Sequence, residues 1–275
     1  MKFINGGMFV ITIKDYVKQE KEKLHKEIFN LTDYPELKII QVGNNEASNK
    51  YVINKMKDAE ELGIRATLIK LSQWTTTQEL QEIVNNNSDC PLIVQLPLLP
   101  GVDTPIINKK IDVDGFCPDS EFNCCTPGGI IDYLDAAGFD YEGKLAVVIG
   151  RSEIVGKPMA KMLLDKNCTT AVVHSKTRED IKKLLLLEAD LVICAVGDAG
   201  FLDPQDCPKA FIVDVGINFV WDEEKEKVKL VGDVQKCASE ANRITPVPGG
   251  VGLLTRLKLM KNVVLYYKRN ETLKW

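Results

Sequence analysis

The sequence predicts an α/β protein with two domains, the second of which contains a doubly wound parallel sheet. Apolar runs of strand length alternate with segments of helical periodicity, which is typical of parallel sheets whose strands are joined by helices. The alternation starts again near the middle of the chain, and 275 residues are enough for two packed cores. The run 145–150 is continuously apolar and ends in Gly150, as expected for a strand covered on both faces.

The first half of the chain contains three predicted helices and three predicted strands. Apolar residues recur with helical periodicity in three segments, and Gly63 ends the second of them. We place the helices at 13–29, 47–62 and 77–85, and the strands at 37–43, 65–69 and 92–96. Prolines in 97–100 mark a turn after the third strand.

The second half repeats this alternation with shorter helices. We place strands at 145–150, 171–173, 191–196 and 211–215, and helices at 159–165 and 178–187. A last helix, 253–268, is expected to return to the first domain. The first domain is therefore predicted to comprise 1–124 with 253–275, and the second to comprise 125–252.

Composition argues against several classes of partner. The net charge of -4 and the pI near 5.5 give no indication of nucleic-acid binding. No apolar run approaches the roughly 18 residues that cross a bilayer, and no cleavage site follows the short run 8–13, so we expect a cytoplasmic protein without membrane association. Eight cysteines form no CxxC pair and only two histidines are present, so we expect buried thiols and no metal site.

The turn after the strand 145–150 has features of a phosphate-binding site. Gly150 ends the strand and Gly156 lies where the next helix begins, so the backbone could approach a phosphate at a helix N-terminus. Ser152 replaces the second glycine of the GxGxxG pattern, which leaves an ordinary strand–helix turn as the alternative. The whole arrangement indicates a Rossmann-like nucleotide-binding sheet.

The end of the next strand favours NADP over NAD. NAD-binding sheets usually carry an acidic residue there, which binds the ribose hydroxyls. This chain instead has Ser175 and Lys176, and Arg151 lies on the adjacent turn. Hydroxyl and cationic groups suit a 2′-phosphate, whereas a solvated polar loop is the alternative.

Tyr51 and Lys55 are four residues apart and share one face of the second predicted helix. Together they would present a stacking ring and an ammonium group. A lysine can stabilise negative charge, polarise water, or act as an acid or base when burial lowers its pKa. Spacing alone favours a solvated surface pair.

Three further positions are chemically suggestive. Gln95 ends an apolar strand and is either a satisfied core amide or a site residue. Asp114 precedes a glycine, which is common in turns, but its carboxylate could also accept N–H groups of a pterin. The segment 248–252 is too glycine-rich for a helix and is either a linker or a loop where the backbone meets a ligand.

Taken together, the motifs resemble those of the bifunctional methylenetetrahydrofolate dehydrogenase/cyclohydrolases over nearly the whole chain. Seven blocks carry the resemblance in the order and near the spacing of that family: 48–57, 94–98, 112–116, 125–127, 150–158, 214–218 and 245–252. Any one block could occur by chance, but the ordered set is highly specific.

The resemblance implies two α/β domains flanking a cleft, usually in a homodimer. It implies oxidation of methylenetetrahydrofolate with NADP and hydrolysis of the methenyl product to formyltetrahydrofolate, reactions of one-carbon metabolism and purine biosynthesis. The first domain would bind folate and the second NADP. The implied catalytic and folate-binding residues are Lys55, Tyr51, Gln95, Asp114, Pro248, Gly249 and Gly250. The implied cofactor-binding residues are Gly150, Arg151, Ser152, Val155, Gly156, Ser175, Lys176 and Ile217.

Two segments depart from the family pattern. The segment 117–124 is shorter than usual, and Leu253-Leu254 stands where Pro-Met is normal. Both departures bear on the balance of the two activities. The alternatives are a shikimate-type NADP-dependent dehydrogenase and a non-enzymatic nucleotide-sensing regulator. The Tyr51–Lys55 spacing argues against the first, and the lack of a helix-turn-helix with a basic face argues against the second.

Overall fold

A computed structural model describes residues 11–223, 226–237 and 243–272. These residues divide into two compact units, which we call the N-terminal-half unit and the nucleotide unit. The N-terminal-half unit comprises residues 18–125 and the chain from 256 onward, and the nucleotide unit comprises the residues up to 17 together with 126–255. The three boundaries therefore fall inside the first helix, after residue 125, and inside the last helix.

Helices and strands alternate through both halves, as the sequence predicts. The first half contains α1 (Ile13–Phe29), β1 (Glu36–Val42), α2 (Glu46–Leu62), β2 (Arg65–Leu71), α3 (Thr77–Asn86) and β3 (Leu92–Val94). The second half contains α4 (Cys125–Ala136), β4 (Leu145–Ile149), α5 (Gly156–Asp165), β5 (Thr169–Val173), α6 (Glu179–Glu188), β6 (Leu191–Cys194), β7 (Phe211–Asp214), β8 (Asn218–Asp222), β9 (Lys227–Val231) and α7 (Val251–Thr272).

The N-terminal-half unit is built on a parallel three-stranded sheet in the order β2-β1-β3. The helices that connect its strands have well-defined ends. Asn45 accepts the Ser48 N–H and caps the start of α2, while Gly63 ends this helix in the left-handed conformation at φ 79°. Thr76 and Glu79 form a reciprocal capping box at the start of α3. The strand β1, which is the central strand of this sheet, is almost completely buried.

The nucleotide unit is built on a parallel four-stranded sheet in the order β5-β4-β6-β7. Its strands β4, β6 and β7 are buried nearly throughout, which matches their continuous apolar sequences. The chain passes from β4 to β5 on one side and then crosses to β6 on the other, so the sheet is doubly wound. A separate antiparallel hairpin, β8–β9, follows β7.

The last helix belongs to the N-terminal-half unit from Arg256 onward. Within this unit, the Asn262 amide donates to the Val113 carbonyl at 2.9 Å, and the Tyr267 hydroxyl accepts the Glu36 N–H at 3.0 Å. These contacts tie α7 to the sheet and to the loop that carries Asp114.

The N-terminal residues differ from the predicted domain boundary, because residues 11–17 belong to the nucleotide unit. Two contacts account for this placement. The Tyr133 hydroxyl donates to the Ile11 carbonyl at 3.2 Å, and the rings of Tyr16 and Tyr133 pack edge to face at 5.6 Å. The start of α1 thus packs against Tyr133, which is distant in sequence and belongs to the nucleotide unit.

The cysteines behave mostly as small apolar residues. All eight are free thiols, and five of them are buried: Cys90, Cys125, Cys168, Cys194 and Cys207. The prediction of buried thiols is confirmed for these five. The remaining three are partly exposed.

Candidate active site

Two of the predicted site residues of the N-terminal-half unit, Gln95 and Asp114, lie beside the adjacent carboxyl ends of β1 and β3. The chain passes from β1 to β2 on one side and to β3 on the other, so these ends form a topological switch point, where α/β proteins bind ligands. Gln95 directly follows β3. Asp112 pairs with Leu92 in a parallel bridge, so Asp114 leaves the sheet beside the end of β3.

Lys55 and Asp114 form a buried ion pair. Each residue is only 5% exposed, and Lys55 Nζ lies 3.7 Å from Asp114 Oδ2. Lys55 is therefore no solvated surface residue, which was the alternative that its spacing from Tyr51 allowed. Buried charges are tolerated when they are paired, so each member of this pair depends on the other.

Gln95 carries a buried acceptor without a protein partner. Its amide nitrogen donates to the Leu96 carbonyl at 2.6 Å, whereas its Oε1 accepts no hydrogen bond from the described residues. An unpaired buried acceptor costs free energy, and in a native structure it indicates a position where a ligand or water donates. The side chain is 9% exposed and so is not satisfied by bulk solvent.

Tyr51 lies one helical turn before Lys55 and is half-buried. Burial raises the pKa of the Tyr51 hydroxyl, and the nearby positive charge of Arg256 opposes this shift. Arg256 in turn pairs with Asp58 at 3.1 Å, and Asp58 also accepts from Lys21 at 2.8 Å. Tyr51 therefore presents a neutral, partly exposed ring with a cation nearby.

The loop that carries Asp114 is held by a different carboxylate. Asp112 is fully buried, and its two oxygens accept the N–H groups of Gly115 at 3.2 Å and Cys117 at 2.8 Å. Burial raises the pKa of Asp112, and these hydrogen bonds oppose the shift. Asp112 thus makes the hydrogen bonds expected of a turn aspartate, while Asp114 faces Lys55.

The glycine turn after β4 brings backbone atoms into close contact. Gly150 has φ +112°, and a Cβ at this position would lie 2.3 Å from the Ala195 carbonyl oxygen. A Cβ on Gly156 would lie 2.4 Å from the Gly150 oxygen. Only glycine fits at either position, so the end of β4, the start of α5 and the loop after β6 pack backbone against backbone.

Ser152, which stands where GxGxxG has its second glycine, forms hydrogen bonds with the start of the helix. Its hydroxyl accepts the N–H groups of Val155 and Gly156, each at 3.3 Å, so the start of α5 is organised from within the turn. Arg151 is exposed beside this turn, and Lys157 pairs with the exposed Glu153. The turn thus combines a helix N-terminus with an accessible guanidinium group.

The end of β5 places Ser175 and Lys176 at the same edge of the sheet as Arg151. Strands β4 and β5 are parallel neighbours, with Ile149 opposite Val173, so the residues that follow them emerge side by side. Ser175 and Lys176 are exposed in a turn closed by the bond from the Thr177 N–H to the His174 carbonyl at 2.8 Å. Ile217 is also exposed at this edge, three residues after β7.

The segment 248–250 forms a tight turn before α7. Gly249 has φ +97°, and a Cβ on Gly250 would lie 2.3 Å from the Pro246 carbonyl oxygen. Both glycines are therefore required by the backbone path, and α7 begins directly afterwards at Val251. The hydroxyl groups of Thr255 and Thr126 share a hydrogen bond of 3.0 Å.

Comparisons with known proteins identify the family. A family model described as the tetrahydrofolate dehydrogenase/cyclohydrolase catalytic domain matches residues 4–114. A second model, described as the NAD(P)-binding domain of the same enzymes, matches residues 124–271. The chain belongs to the tetrahydrofolate dehydrogenase/cyclohydrolase family.

Curated relatives and solved structures agree over nearly the full length. The bifunctional protein FolD of Acetivibrio thermocellus is 39% identical, and the match covers 99% of each chain. That of Agathobacter rectalis is 39% identical over 97% of this chain and 99% of its own. The crystal structure of Campylobacter jejuni FolD is 36% identical with a TM-score of 0.84 and covers 93% of this chain and 96% of its own. The structure of the Trypanosoma brucei enzyme, which was solved with NADP and an inhibitor, is 29% identical with a TM-score of 0.85. The match covers 95% of this chain and 98% of its own.

Membership in the tetrahydrofolate dehydrogenase/cyclohydrolase family confirms the predicted enzyme class and α/β fold class. The chain is a family enzyme with an NAD(P)-binding domain that acts on tetrahydrofolate derivatives. The match over both units favours this function over a shikimate-type dehydrogenase or a nucleotide-sensing regulator. Within residues 11–223, 226–237 and 243–272, no group of three or more His, Cys, Asp or Glu side chains could hold a metal ion. No helix among these residues is long and apolar enough to span a membrane.

Sequence reasoning missed three buried carboxylates that organise the loops of this family member. These are Asp112, Asp214 and Asp233. Each lies next to a glycine-containing segment, Asp112 in Asp-Val-Asp-Gly, Asp214 in Asp-Val-Gly, and Asp233 directly after Gly232. Acidic residues within apolar sequence next to glycine were the available signal, since buried carboxylates must accept several hydrogen bonds.

Proposed function

We propose that this enzyme oxidises methylenetetrahydrofolate with NADP and hydrolyses the methenyl product to formyltetrahydrofolate, with Lys55, Tyr51, Gln95 and Asp114 as its catalytic and folate-binding residues. The observation that carries this proposal is the buried Lys55–Asp114 pair at 3.7 Å. The amide oxygen of Gln95, which directly follows β3, adds a buried acceptor without a partner among the described residues. A buried ammonium group, a buried carboxylate and an unpaired acceptor at one switch point are poised for a ligand rather than for packing.

Each group has a chemical role that follows from its position. Water adds its oxygen to the methenyl carbon and passes one proton to Lys55 Nζ, which returns this proton to the nitrogen as the carbon–nitrogen bond breaks. The second water proton is released as the formyl group forms. Gln95 Oε1 accepts a hydrogen bond from Lys55 or from that water and so orients the donor. Asp114 accepts the amino and ring N–H groups of the pterin, and the ring of Tyr51 stacks on the substrate.

The nucleotide unit binds the cofactor through the carboxyl edge of its sheet. We assign the pyrophosphate to the turn that contains Gly150, Ser152, Val155 and Gly156, because the turn presents a helix N-terminus to an anion. The nicotinamide supplies the hydride acceptor when the cofactor is bound. Ile217, Pro248, Gly249 and Gly250 are assigned to the nicotinamide and folate, a role supported by family resemblance and by the exposed position of Ile217.

The preference for NADP is supported by the groups beside the pyrophosphate turn. Arg151 and Lys176 bring two exposed cations to one edge of the sheet, and Ser175 adds a hydroxyl donor. No carboxylate stands between His174 and Thr177 to bind the free ribose hydroxyls of NAD. A charge-assisted bond to a 2′-phosphate is available only with NADP.

Lys55→Met tests the assignment of the catalytic residue. We expect the variant to lose cyclohydrolase activity while it folds and binds NADP, because the methionine replaces the ammonium by an apolar group of similar length. Lys57→Met on the same helix is the matched control, since Lys57 is exposed and should tolerate the change. Hydrolysis would be followed by the loss of methenyl absorbance. A Lys55→Met enzyme that hydrolyses at the wild-type rate would refute the proposal.

We further propose a cytoplasmic homodimer that associates through the β8–β9 hairpin. Phe219, Trp221 and Val228 are exposed on this hairpin, and Trp221 stands directly opposite Val228. A two-stranded hairpin with an exposed apolar face gains stability by covering it, and aromatic residues dominate protein interfaces. Sedimentation of Trp221→Lys should show monomers, whereas Leu184→Lys on the exposed face of α6 should remain dimeric. Dimeric Trp221→Lys would exclude this interface.

A further inference from the structure

Two buried carboxylates lie at the carboxyl edge of the nucleotide sheet, and neither is assigned a role in cofactor binding. Asp214 ends β7 and is 4% exposed, and Asp233 lies in the segment after β9 and is fully buried. Each carboxylate accepts hydrogen bonds from two segments of the chain.

Asp233 accepts four hydrogen bonds from two loops. Its Oδ2 accepts the N–H groups of Val196 at 2.7 Å and Gly197 at 2.9 Å. Its Oδ1 accepts the Asp198 N–H at 3.1 Å and the Asn218 side-chain amide at 2.8 Å. Three of these donors are consecutive N–H groups directly after β6, an arrangement that forms an anion-binding concavity. In this protein the concavity is filled by an internal carboxylate.

Asp214 holds Asp233 in place. Asp214 Oδ1 accepts the N–H groups of Asp233 and Gly216, each at 2.9 Å, and Oδ2 accepts the Val234 N–H at 3.1 Å. A Cβ on Gly216 would lie 2.2 Å from Asp233 Oδ1, so the two segments pack too closely for any side chain. The loops after β6, β7 and β9 are therefore connected through two carboxylates.

The loop that Asp233 holds adjoins the proposed cofactor site on two sides. Ala195 begins this loop, and its carbonyl oxygen is the atom that a Cβ on Gly150 would meet at 2.3 Å. Asn218, which Asp233 also holds, directly follows Ile217. A shift of this loop would therefore move the backbone against which the pyrophosphate turn packs, together with the residue assigned to the nicotinamide.

We propose that Asp233 is a positioning residue for the cofactor, which fixes the loop after β6 and Asn218 so that the Gly150 turn and Ile217 have the geometry that NADP requires. The inference rests on the proposed cofactor site. Because Asp233 fills the concavity after β6, the pyrophosphate is bound by the Gly150 turn and not by that concavity. All four donors of Asp233 come from the nucleotide unit, so its loss affects cofactor binding and leaves the Lys55 site in the other unit intact.

Asp233→Asn is the test, because the amide keeps the size of the side chain but puts a donor against N–H groups. We expect the affinity for NADP to fall, and the KM for NADP to rise, roughly ten- to a hundredfold. The new side-chain NH2 group would face backbone N–H groups, so both donors would lose their hydrogen bond. Cyclohydrolase activity and the KM for folate should stay within about twofold of wild type. Asp203→Asn is the matched control, because Asp203 makes an N-cap bond to Gln205 that asparagine can reproduce.

The outcomes are separable. Wild-type NADP affinity in Asp233→Asn would overturn the inference and leave the proposed function intact. Equal loss of cyclohydrolase and dehydrogenase activity would also overturn it, because it would make Asp233 a residue of general stability. A wild-type protein that binds no NADP would refute the proposed function as well. If Asp233→Asn does not fold, Asn218→Ala provides the test. A KM for NADP raised severalfold with unchanged hydrolysis would support the inference. An unchanged KM would refute it.

Discussion

For Gly156→Ala, helix propensity and the packing of the pyrophosphate turn predict opposite changes in stability. Gly156 is the first residue of α5, where propensity alone predicts that alanine stabilises the helix by up to about 1 kcal/mol. Packing predicts the opposite, since the new Cβ would lie 2.4 Å from the Gly150 carbonyl oxygen and 2.7 Å from the Arg151 Cα. Both neighbours are backbone atoms and cannot move aside by changing rotamer.

The magnitude follows from the required displacement. The turn must open until the Cβ–oxygen separation rises from 2.4 Å to at least 3.0 Å, below which real Cβ contacts are essentially not observed. Overpacking of this kind costs up to about 3 kcal/mol, so a net loss of about 1–2 kcal/mol remains after the gain in propensity is subtracted. We therefore expect the Tm to fall by about 2–8 °C. NADP affinity should fall roughly tenfold or more, because the displaced backbone is the one assigned to the pyrophosphate.

Titration calorimetry with NADP and thermal unfolding check this expectation, with Gly138→Ala as the control. Gly138 has φ +74° and nothing within 4 Å of an added Cβ, so alanine there adds backbone strain of about 1 kcal/mol without a clash. The control should lower the Tm modestly and leave NADP binding unchanged. A Gly156→Ala protein as stable as wild type, with unchanged NADP affinity, would show that the turn is not tightly closed and that this reasoning is wrong.

Three further substitutions test separate parts of the structure. Asp114→Asn should fold and bind NADP normally but lose folate affinity by roughly ten- to a few-hundredfold, whereas turnover like wild type would make it a turn residue. Arg151→Ala should weaken NADP by roughly ten- to a hundredfold and leave NAD unaffected in initial-rate assays, and equal effects on both cofactors would contradict a 2′-phosphate contact. Thr76→Ala removes the capping box of α3 and should cost about 1 kcal/mol in thermal unfolding with both activities intact, so lost activity would contradict a purely structural role.

The main elements of the fold could be predicted because hydrophobic periodicity and turn residues agree with the tertiary structure. The prediction for α1 matches its bounds, and Gly63 ends α2 as expected. The helix α4 was missed, since Pro127, Gly128 and Gly129 in its first turns argue against a helix. Its Gly129 is explained by packing, because a Cβ there would lie 2.6 Å from the Leu254 carbonyl oxygen. No local pattern records such a long-range contact.

The candidate site could likewise be predicted from the sequence only in part. Lys55, Gln95 and Asp114 could be named from their motifs, but their burial and the 3.7 Å pair depend on the parallel bridge that brings residue 112 beside β3. The hairpin β8–β9 was missed because its strands expose Phe219 and Trp221 instead of hiding an apolar face. Burial and hydrogen-bond partners are properties of the assembled sheet, so the sequence pattern alone could not provide them.

The burial of the cysteines also determines how the protein responds to alkaline solution. Burial raises the pKa of the thiols of Cys90 and Cys207 to about 11 each, whereas an unfolded cysteine ionises near pH 8.5. Folded-state values above the unfolded value stabilise the native protein below about pH 8.5, and this contribution is lost as the pH rises through about 11. At neutral pH these thiols stay protonated and slow to react with alkylating reagents, so their modification reports the opening of the structure around them.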